Sequence, residues 1–420
     1  MRHMIFGESH GPAIGVVLEG VPAGLELDLE AVQRELDRRK PGQDPTATAR
    51  RESDTVQVLS GVFEGKTTGA PLAMLIPNAD QHSQDYEAIR YTPRPGHGDY
   101  AGFIKSQGCQ DYRGGGHFSG RLTAPLVAAE MARRAPGQGP LTTARKEADQ
   151  VEILSGLFEG KTTGTPLCGV IFNTDTRSKD YARLKDLPRP GHGDYPGFVR
   201  YKGCNDYRGG GHFSGRLTAP LVFAGAVAKQ VLAPRGIAVT ARISNVAGID
   251  GPTPEQMEAA ILAAKAEGDS VGGRIRCAVT GLPAGLGAPD FGCNVEGIFS
   301  QYLFAVPAVK AVGFGDGEGF ASLRGSQAND PLYMDGGQVR ARTNRSGGVN
   351  GGITNGMPVE FQVTIRPTPS ISKPQDTVDL STGEDAVLSV TGRHDPCILP
   401  RAVPVIEAAA ALAACELLGI

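Results

Sequence analysis

Six of the eight histidines in the 420-residue sequence stand in short segments rich in glycine, arginine or aspartate: His10, His97, His117, His192, His212 and His394. Histidine changes its protonation state near neutral pH and can donate a proton to a leaving oxyanion. Arginines in the same segments can bind phosphate or carboxylate through two parallel hydrogen bonds. These residue types predict acid–base chemistry on a small, multiply anionic molecule, although any one histidine taken alone is better explained by a structural role. No two histidines are three or four residues apart, as in metal-binding helices, so we expect no metal site.

One glycine-rich stretch, DYRGGGHFSGRLTAPLV, occurs twice without change, at 111–127 and at 206–222. Three successive glycines lack Cβ atoms, so a planar or anionic ligand can approach the peptide N–H groups. In the second copy, His212, Ser214 and Arg216 follow the glycines and lead into an apolar run that predicts a buried helix. The N terminus of such a helix favours an anion. We interpret the stretch as a loop that presents these side chains to a phosphate-bearing ligand; a tight turn before a core helix is the alternative.

This stretch is part of a longer tandem repeat. Residues from about 35 to 127 recur from about 130 to 222 at a constant shift of 95 (206 minus 111). Two units of this length do not make a solenoid. We therefore expect one domain, 1–420, with a duplicated block followed by a C-terminal half, 223–420. Each copy contains EGKTTG, which we interpret as a hairpin turn, because serine stands where a P-loop requires its first glycine.

The elements that must position these side chains are a mixture of helices and strands. Thr253 and Gln256 have the spacing of a capping box at a helix start. The segment 313–319 lacks the third glycine of a dinucleotide-binding motif, so no Rossmann unit is expected. The apolar pattern predicts strands at 14–18, 239–246, 275–280, 309–314 and 359–365, and helices at 28–39, 217–232, 253–268, 294–306 and 402–418.

Composition narrows the class of protein. The formal net charge is −3, so no basic bulk predicts binding to nucleic acid. The seven cysteines form no CxxC pair, which is typical of free thiols in a reducing compartment. The N terminus has no apolar signal core, and we find no apolar run near the ~20 residues that span a bilayer. We expect a cytoplasmic protein that binds neither nucleic acid nor membrane.

With these motifs in view, the sequence resembles the chorismate synthase family along nearly its whole length. The matching segments include FGESHG, RRxPG, RPGHxDY, DYRGGG, EGDS and GRHDPC, in the family's order. The resemblance implies an α+β fold, a β-α-β sandwich with antiparallel sheets between helical layers, and a homotetramer. It implies a carbon–oxygen lyase that forms chorismate by anti-1,4-elimination of phosphate from 5-enolpyruvylshikimate 3-phosphate. The family requires reduced FMN, with NADPH as a possible reductant.

The resemblance also implies roles for individual residues. His10 corresponds to the histidine beside the leaving phosphate, and His97 or His192 to the one that protonates the flavin. Asp395 corresponds to the aspartate that assists proton removal. Contacts to FMN are implied at His212, Phe213, Ser214, Pro307, Ala308, Gly351, Arg366, Pro367, Thr368, Pro369, Ser370 and Arg393. Contacts to substrate or a nicotinamide cofactor are implied at Arg39, Arg134 and Arg216.

Several features depart from the family pattern. The family has one copy of the duplicated block, and its first strand, before Phe6, is expected to be missing or cut short here. The duplication leaves a second function open, a non-catalytic flavin- or anion-binding relic. Because the second copy runs without interruption into its helix, we expect it to form the working site, with His192, His212 and Arg216. A site with His97, His117 and Arg121, or a hybrid of both copies, is the competitor.

Overall fold

A computed structural model describes residues 2–7, 12–27, 29–30, 55–77, 103–104, 150–158, 161–162, 166–173, 184–290, 292–390 and 395–420. All strand pairs in these ranges are antiparallel. Helices and antiparallel sheets together confirm the predicted α+β class. The described chain falls into two compact units, whose boundaries do not follow those of the repeat.

The first unit comprises Met1–Pro125, Val151–Phe172 and Gly193–His212. Its strands and helix are β1 Arg2–Gly7, β2 Ala13–Glu19, β3 Gln57–Ser60, β4 Val62–Phe63, β5 Lys66–Thr67, β6 Leu72–Pro77, β7 Val151–Ser155, β8 Leu157–Phe158, β9 Lys161–Thr162, β10 Cys168–Ile171 and α1 Asp194–Arg200.

The main sheet of this unit has the order β1-β2-β6-β3. The first strand, expected to be missing or cut short, is present as the six-residue β1 and pairs with β2 along its whole length. Phe6, Ala13 and Leu75 from this sheet are buried with Leu154, which lies on β7 of the second repeat. The two copies of the repeated block therefore share one hydrophobic core in this unit.

Both copies fold locally into the same hairpin arrangement. Gly61 and Gly156 have φ of 88° and 83°, in the left-handed region that glycine adopts without strain. Ser60 and Ser155 each donate a side-chain hydrogen bond of 2.9 Å to the carbonyl of the proline 11 residues later. The predicted hairpin at EGKTTG is confirmed, since β4 pairs with β5 and β8 with β9.

The second unit comprises Leu126–Gln150, Asn173–His192 and Phe213–Ile420. Its elements are α2 Thr218–Leu232, β11 Ala238–Val246, β12 Ile249–Asp250, α3 Pro254–Ala266, β13 Gly273–Thr280, α4 Val295–Phe304, β14 Val309–Phe314, α5 Gly325–Ala328, β15 Leu332–Asp335, β16 Gln338–Ala341, β17 Val349–Asn350, β18 Ile353–Thr354, β19 Val359–Ile365, β20 Gln375–Asp379, β21 Glu384–Leu388 and α6 Leu399–Leu417.

A five-stranded sheet of order β12-β11-β13-β19-β14 forms the centre of the second unit. Alternate residues of β19 are buried, as expected for a strand with one face on the core. From this face, Phe361 packs against Phe299 of α4, with ring centroids 5.8 Å apart. The strands and helices predicted between 217 and 418 are confirmed to within a few residues, including the capping box of Thr253 and Gln256.

Helices α2 and α6 pack closely against each other. A Cβ atom at Gly225 would lie only 2.2 Å from the Cβ atom of Ala408, so the two helices approach at a point where glycine is needed. Beside this contact, Lys229 donates to the buried carboxylate of Glu407 at 2.7 Å. One helical segment, Gly215–Arg235, is apolar and long enough to cross a membrane by composition, which the sequence interpretation did not recognise. Its packing along α6 is that of a core helix.

Candidate functional site

The predicted site histidine of the second repeat, His192, sits in a tight turn of the sequence Arg-Pro-Gly-His. The backbone N–H of His192 donates to the carbonyl of Arg189 at 3.1 Å, and Gly191 has φ of 70°. The turn is also held from outside, because the hydroxyl of Thr377 on β20 donates to the carbonyl of Pro188 at 2.6 Å. The glycine is required here for the left-handed conformation that brings the histidine back towards the arginine.

Arg189 is the most buried cation of this site, with 5% of its surface exposed. One of its terminal nitrogens, Nη1, donates to the hydroxyl of Ser370 at 3.1 Å, and the other, Nη2, lies 3.1 Å from Nδ1 of His192. Ser370 is itself buried. Arg189 therefore joins the histidine turn to the end of the 366–370 segment, for which cofactor contacts are predicted.

Arg366 makes a second connection between the same two segments. Its guanidinium donates to the carbonyl of Gly191, and its backbone N–H donates to the carbonyl of Ala308 at 3.0 Å. Ala308 has φ of 73°, a strained value for a residue with a side chain and one often found at functional sites. In the part of the chain that the structure describes, no carboxylate pairs with the guanidinium of Arg366, so it adds positive charge to the site.

The EGDS motif, residues 267–270, is hydrogen-bonded to the 366–370 segment. The hydroxyl of Ser270 donates to the carbonyl of Thr368 at 2.7 Å. A Cβ atom at Gly272 would lie 2.4 Å from the carbonyl oxygen of Ile365, so only glycine allows this approach. Asp269 accepts a 2.8 Å hydrogen bond from Lys373, which together with the backbone N–H of Ser270 lowers the pKa of its carboxyl. The family resemblance rests in part on this motif, but no residue pattern indicated its supporting role.

Asp395, the predicted acid–base aspartate, is already paired. Its carboxylate accepts from Arg401, with Oδ2 and Nη1 2.5 Å apart, and only 10% of its side chain is exposed. The next residue, Pro396, is tied to the end of the EGDS region, since the N–H of Val271 donates to the carbonyl of Pro396 at 2.9 Å. The ion pair fixes the orientation of the Asp395 carboxylate.

The glycine motif of the second repeat is built around an internal ion pair. Asp206 accepts from both the backbone N–H and the guanidinium of Arg208 at 2.8–2.9 Å, and this contact raises the pKa of the arginine. The guanidinium lies over the ring of Phe63, 4.5 Å from its centroid. A Cβ atom at Gly211 would lie 2.1 Å from the carbonyl oxygen of Asp206. The motif arginine thus has a structural role, and the glycines are needed to close the turn.

Beyond this turn, Ser214 and Arg216 lie just before helix α2. The hydroxyl of Ser214 accepts from the backbone N–H of Arg216 at 3.3 Å. The side chain of Arg216 donates from Nε to the amide oxygen of Asn173 at 3.0 Å. Both residues are partly buried. Arg216, which we expected to bind an anion, is therefore oriented by the neutral side chain of Asn173.

Some of the predicted site residues lie together in the structure, and others lie elsewhere or outside the described residues. Arg366 joins Ala308 to the His192 turn at the carbonyl of Gly191. His192 is joined to Ser370 by Arg189, a residue that the prediction omitted. The repeated Arg-Pro-Gly-His motif was the signal that could have identified it. Gly351 is in the turn between β17 and β18, and His212 is exposed and belongs to the first unit, whereas the cluster of His192, Arg366 and Ser370 belongs to the second. Outside the described residues lie the predictions for His10, His97, His117, Arg39, Arg121, Arg134, Arg393 and most of the helix at 28–39.

The residues present fit a polar, planar cofactor such as FMN at the 366–370 segment. The hydroxyl oxygen of Thr368 is buried and has no hydrogen-bond partner among the described residues. A buried hydroxyl without a partner costs free energy, which a ligand bearing hydrogen-bonding groups would recover. Pro307 and Ala308 lie at the start of this segment, because the carbonyl of Ala308 accepts from the backbone N–H of Arg366. These residues would hold the cofactor.

An α+β scaffold that gathers a histidine and two guanidinium groups around a polar turn defines an enzyme-like site for an anionic small molecule. Comparisons with known proteins agree. The model of the family described as chorismate synthase matches residues 1–131 and 126–418, so that each match includes one copy of the repeated block. The chain is 39% identical to the chorismate synthase of Methanocella arvoryzae over 411 residues, 98% of this chain and 90% of that protein.

Similar values hold for the chorismate synthase of Aeropyrum pernix, which is 36% identical over 441 residues, 99% of this chain and 90% of that protein. A solved structure described as a crystal structure of chorismate synthase covers 99% of this chain and 91% of its own, with a TM-score of 0.42 and 21% identity. The chain belongs to the chorismate synthase family. The predicted family and its lyase class are thereby confirmed, and the relic interpretation is not favoured.

Proposed function

We propose that the chain converts 5-enolpyruvylshikimate 3-phosphate to chorismate by anti-1,4-elimination of phosphate, with reduced FMN bound at the 366–370 segment. The observation that carries this proposal is the double connection from Arg189 and Arg366 to the His192 turn. It places two positive charges and a histidine beside the segment whose buried Thr368 hydroxyl lacks a partner.

The residues of the site suit the departure of a phosphate group. Positive charge fixed in a partly buried site stabilises negative charge that develops on a leaving oxygen. Because Arg189 and Arg366 are held by hydrogen bonds before any ligand arrives, little reorganisation is needed during the reaction. When bound, reduced FMN would supply electron density to the ring that loses phosphate. Asp395 is held in one orientation by Arg401 and is the candidate to accept a proton.

The direct test is chorismate formation from the phosphorylated precursor, with chemically reduced FMN in the absence of oxygen. We expect turnover. A folded protein that binds FMN without turnover would support the relic instead. A second assay with NADPH and oxidised FMN in air tests whether the protein also reduces its own flavin. A cytoplasmic location and a homotetramer belong to the same proposal, and sedimentation of the purified protein measures the latter.

We further propose that the second repeat forms the working site, because it supplies Arg189 and His192 to the cluster with Arg366. The matched test is the same substitution in both copies, Arg216→Ala and Arg121→Ala, with FMN affinity and turnover measured for each. Loss only in R216A supports the second repeat, and loss only in R121A reverses the choice. Equal loss in both variants would indicate two half-sites.

A further inference from the structure

We propose that Arg189 is a positioning residue that fixes the neutral imidazole of His192 in the tautomer with its proton on Nε2. Arg189 begins the RPGHxDY motif, but the family resemblance implied no role for it. It rests on the proposed function only where turnover is the readout, because the tautomer itself can be measured without substrate or cofactor.

The tautomer follows from donor chemistry. Nη2 of Arg189 lies 3.1 Å from Nδ1 of His192. A guanidinium has five N–H donors and no acceptor, so Nδ1 must accept and cannot carry a proton while this hydrogen bond exists. In a neutral imidazole the proton is then on Nε2, and Nε2 is the hydrogen-bond donor of this side chain. A second proton on Nδ1 would require the contact with Arg189 to break.

Neither partner can easily turn away. Arg189 is 5% exposed, and its other terminal nitrogen is held by the hydroxyl of Ser370, which is 6% exposed. The histidine is held by its backbone N–H bond to the carbonyl of Arg189 and by the left-handed Gly191 between them. The carbonyl of that glycine is bound by Arg366. The side chain of His192 is therefore held by Arg189, and the main chain of its turn is held by Arg366.

The consequence concerns what His192 can recognise. With Nδ1 occupied by a donor, the only N–H group that the neutral imidazole carries is at Nε2. A ligand that contacts Nε2 would therefore present an acceptor atom, such as a carbonyl oxygen or an unprotonated ring nitrogen, and would receive a hydrogen bond from this N–H group. The same imidazole could not accept a proton at Nδ1 without losing Arg189.

The test is nitrogen NMR of the protein labelled with ¹⁵N in histidine, without ligand, with the His192 signals identified by their loss in His192→Gln. In the wild type we expect an unprotonated, hydrogen-bonded Nδ1 and a protonated Nε2 at neutral pH. In Arg189→Met the Nδ1 signal should move to the position of an imine nitrogen without a donor, and Arg189→Lys, which retains a cation with a single donor nitrogen, should move it part of the way back. Arg94→Met makes the same change in the first repeat and should leave the His192 signals unchanged.

A protonated Nδ1 in the wild type would overturn the assignment without any variant, and so would an unchanged Nδ1 signal in folded R189M. If the proposed lyase activity is found, R189M should lower kcat by roughly 10²-fold, the scale of a misplaced catalytic group, and alter the pH–rate profile. A raised KM with an unchanged profile would show that Arg189 only binds substrate. Failure of the proposed function would instead leave the NMR result intact.

Discussion

The buried pair of Lys229 on α2 and Glu407 on α6 should be a major determinant of the second unit's stability. The side chains are 20% and 6% exposed, and the carboxylate accepts from the ammonium at 2.7 Å. Its other oxygen accepts from the backbone N–H of Ala241 on β11 at 2.9 Å. Lys229→Met leaves the buried carboxylate of Glu407 without its cation, which should cost about 3–5 kcal/mol of unfolding free energy.

The partner change should cost less. Glu407→Gln keeps an oxygen for the N–H of Ala241, and the remaining ammonium of Lys229 has some access to water, so we expect a loss of about 2 kcal/mol. The double variant removes both charges and leaves mainly one unsatisfied amide group, again about 2 kcal/mol. The two single changes should therefore be non-additive by about 3–5 kcal/mol, at or above the upper limit for directly coupled residues.

Urea unfolding followed by circular dichroism measures these free energies, and hydrogen exchange at Ala241 reports the local contact. Lys66→Met is the matched control, because Lys66 pairs with Glu26 on the surface, with side chains 50% and 83% exposed. That change should cost under about 1 kcal/mol. If K229M lowers the unfolding free energy as little as K66M does, the Lys229–Glu407 pair does not stabilise the second unit as argued. Additive losses from the two single changes at the buried pair would contradict it equally.

Three further outcomes follow from packing and charge. Gly225→Ala should destabilise the protein by about 1–3 kcal/mol in urea unfolding, because the added methyl group meets α6, whereas Gly325→Ala, in open space on α5, should be neutral or mildly stabilising. Cys293 is exposed and should react with a thiol reagent in the native protein, while burial raises the pKa of Cys277 and should leave it unreactive until the protein unfolds; equal rates would contradict this. Because the pKa of Asp269 is lowered in the folded protein, its contribution to stability is present above about pH 4, the pKa of an unfolded aspartate. That contribution is lost as the pH falls through the lower folded pKa. Asp269→Asn should therefore flatten the acid side of a curve of unfolding free energy against pH, and an unchanged slope would contradict this linkage.

Sequence patterns predicted much of the fold because their physical causes are local. The strand at 359–365 follows from its alternation of buried and partly buried residues, and the helix after Thr253 from its capping box. The hairpins β15–β16 and β20–β21 were not predicted, since exposed strands such as the former carry little hydrophobic alternation.

The site was predicted less completely, for a physical reason. The resemblance could name His192 and the 366–370 segment, but the bond between Arg189 and Ser370 joins residues 181 positions apart. Nothing in a local pattern specifies which buried hydroxyl a distant guanidinium will reach. The pairing of Asp395 with Arg401 is close in the chain, yet it depends on the turn before α6, which no residue pattern indicated.

Because the repeat contains two similar hairpins, strand β2 has two possible pairing partners during folding. Strand β2 pairs with β6, and Leu18 lies opposite Leu72, 54 positions later (72 minus 18). The equivalent residue of the second repeat is Leu167, 149 positions from Leu18. Closing the longer loop costs about 0.9 kcal/mol more, so chain position favours pairing of β2 with the copy that lies nearer in the sequence. Strand β7 of the second copy packs against β1 and β2 instead of replacing β6. Loop length thus contributes to deciding which copy of the repeat joins the main sheet.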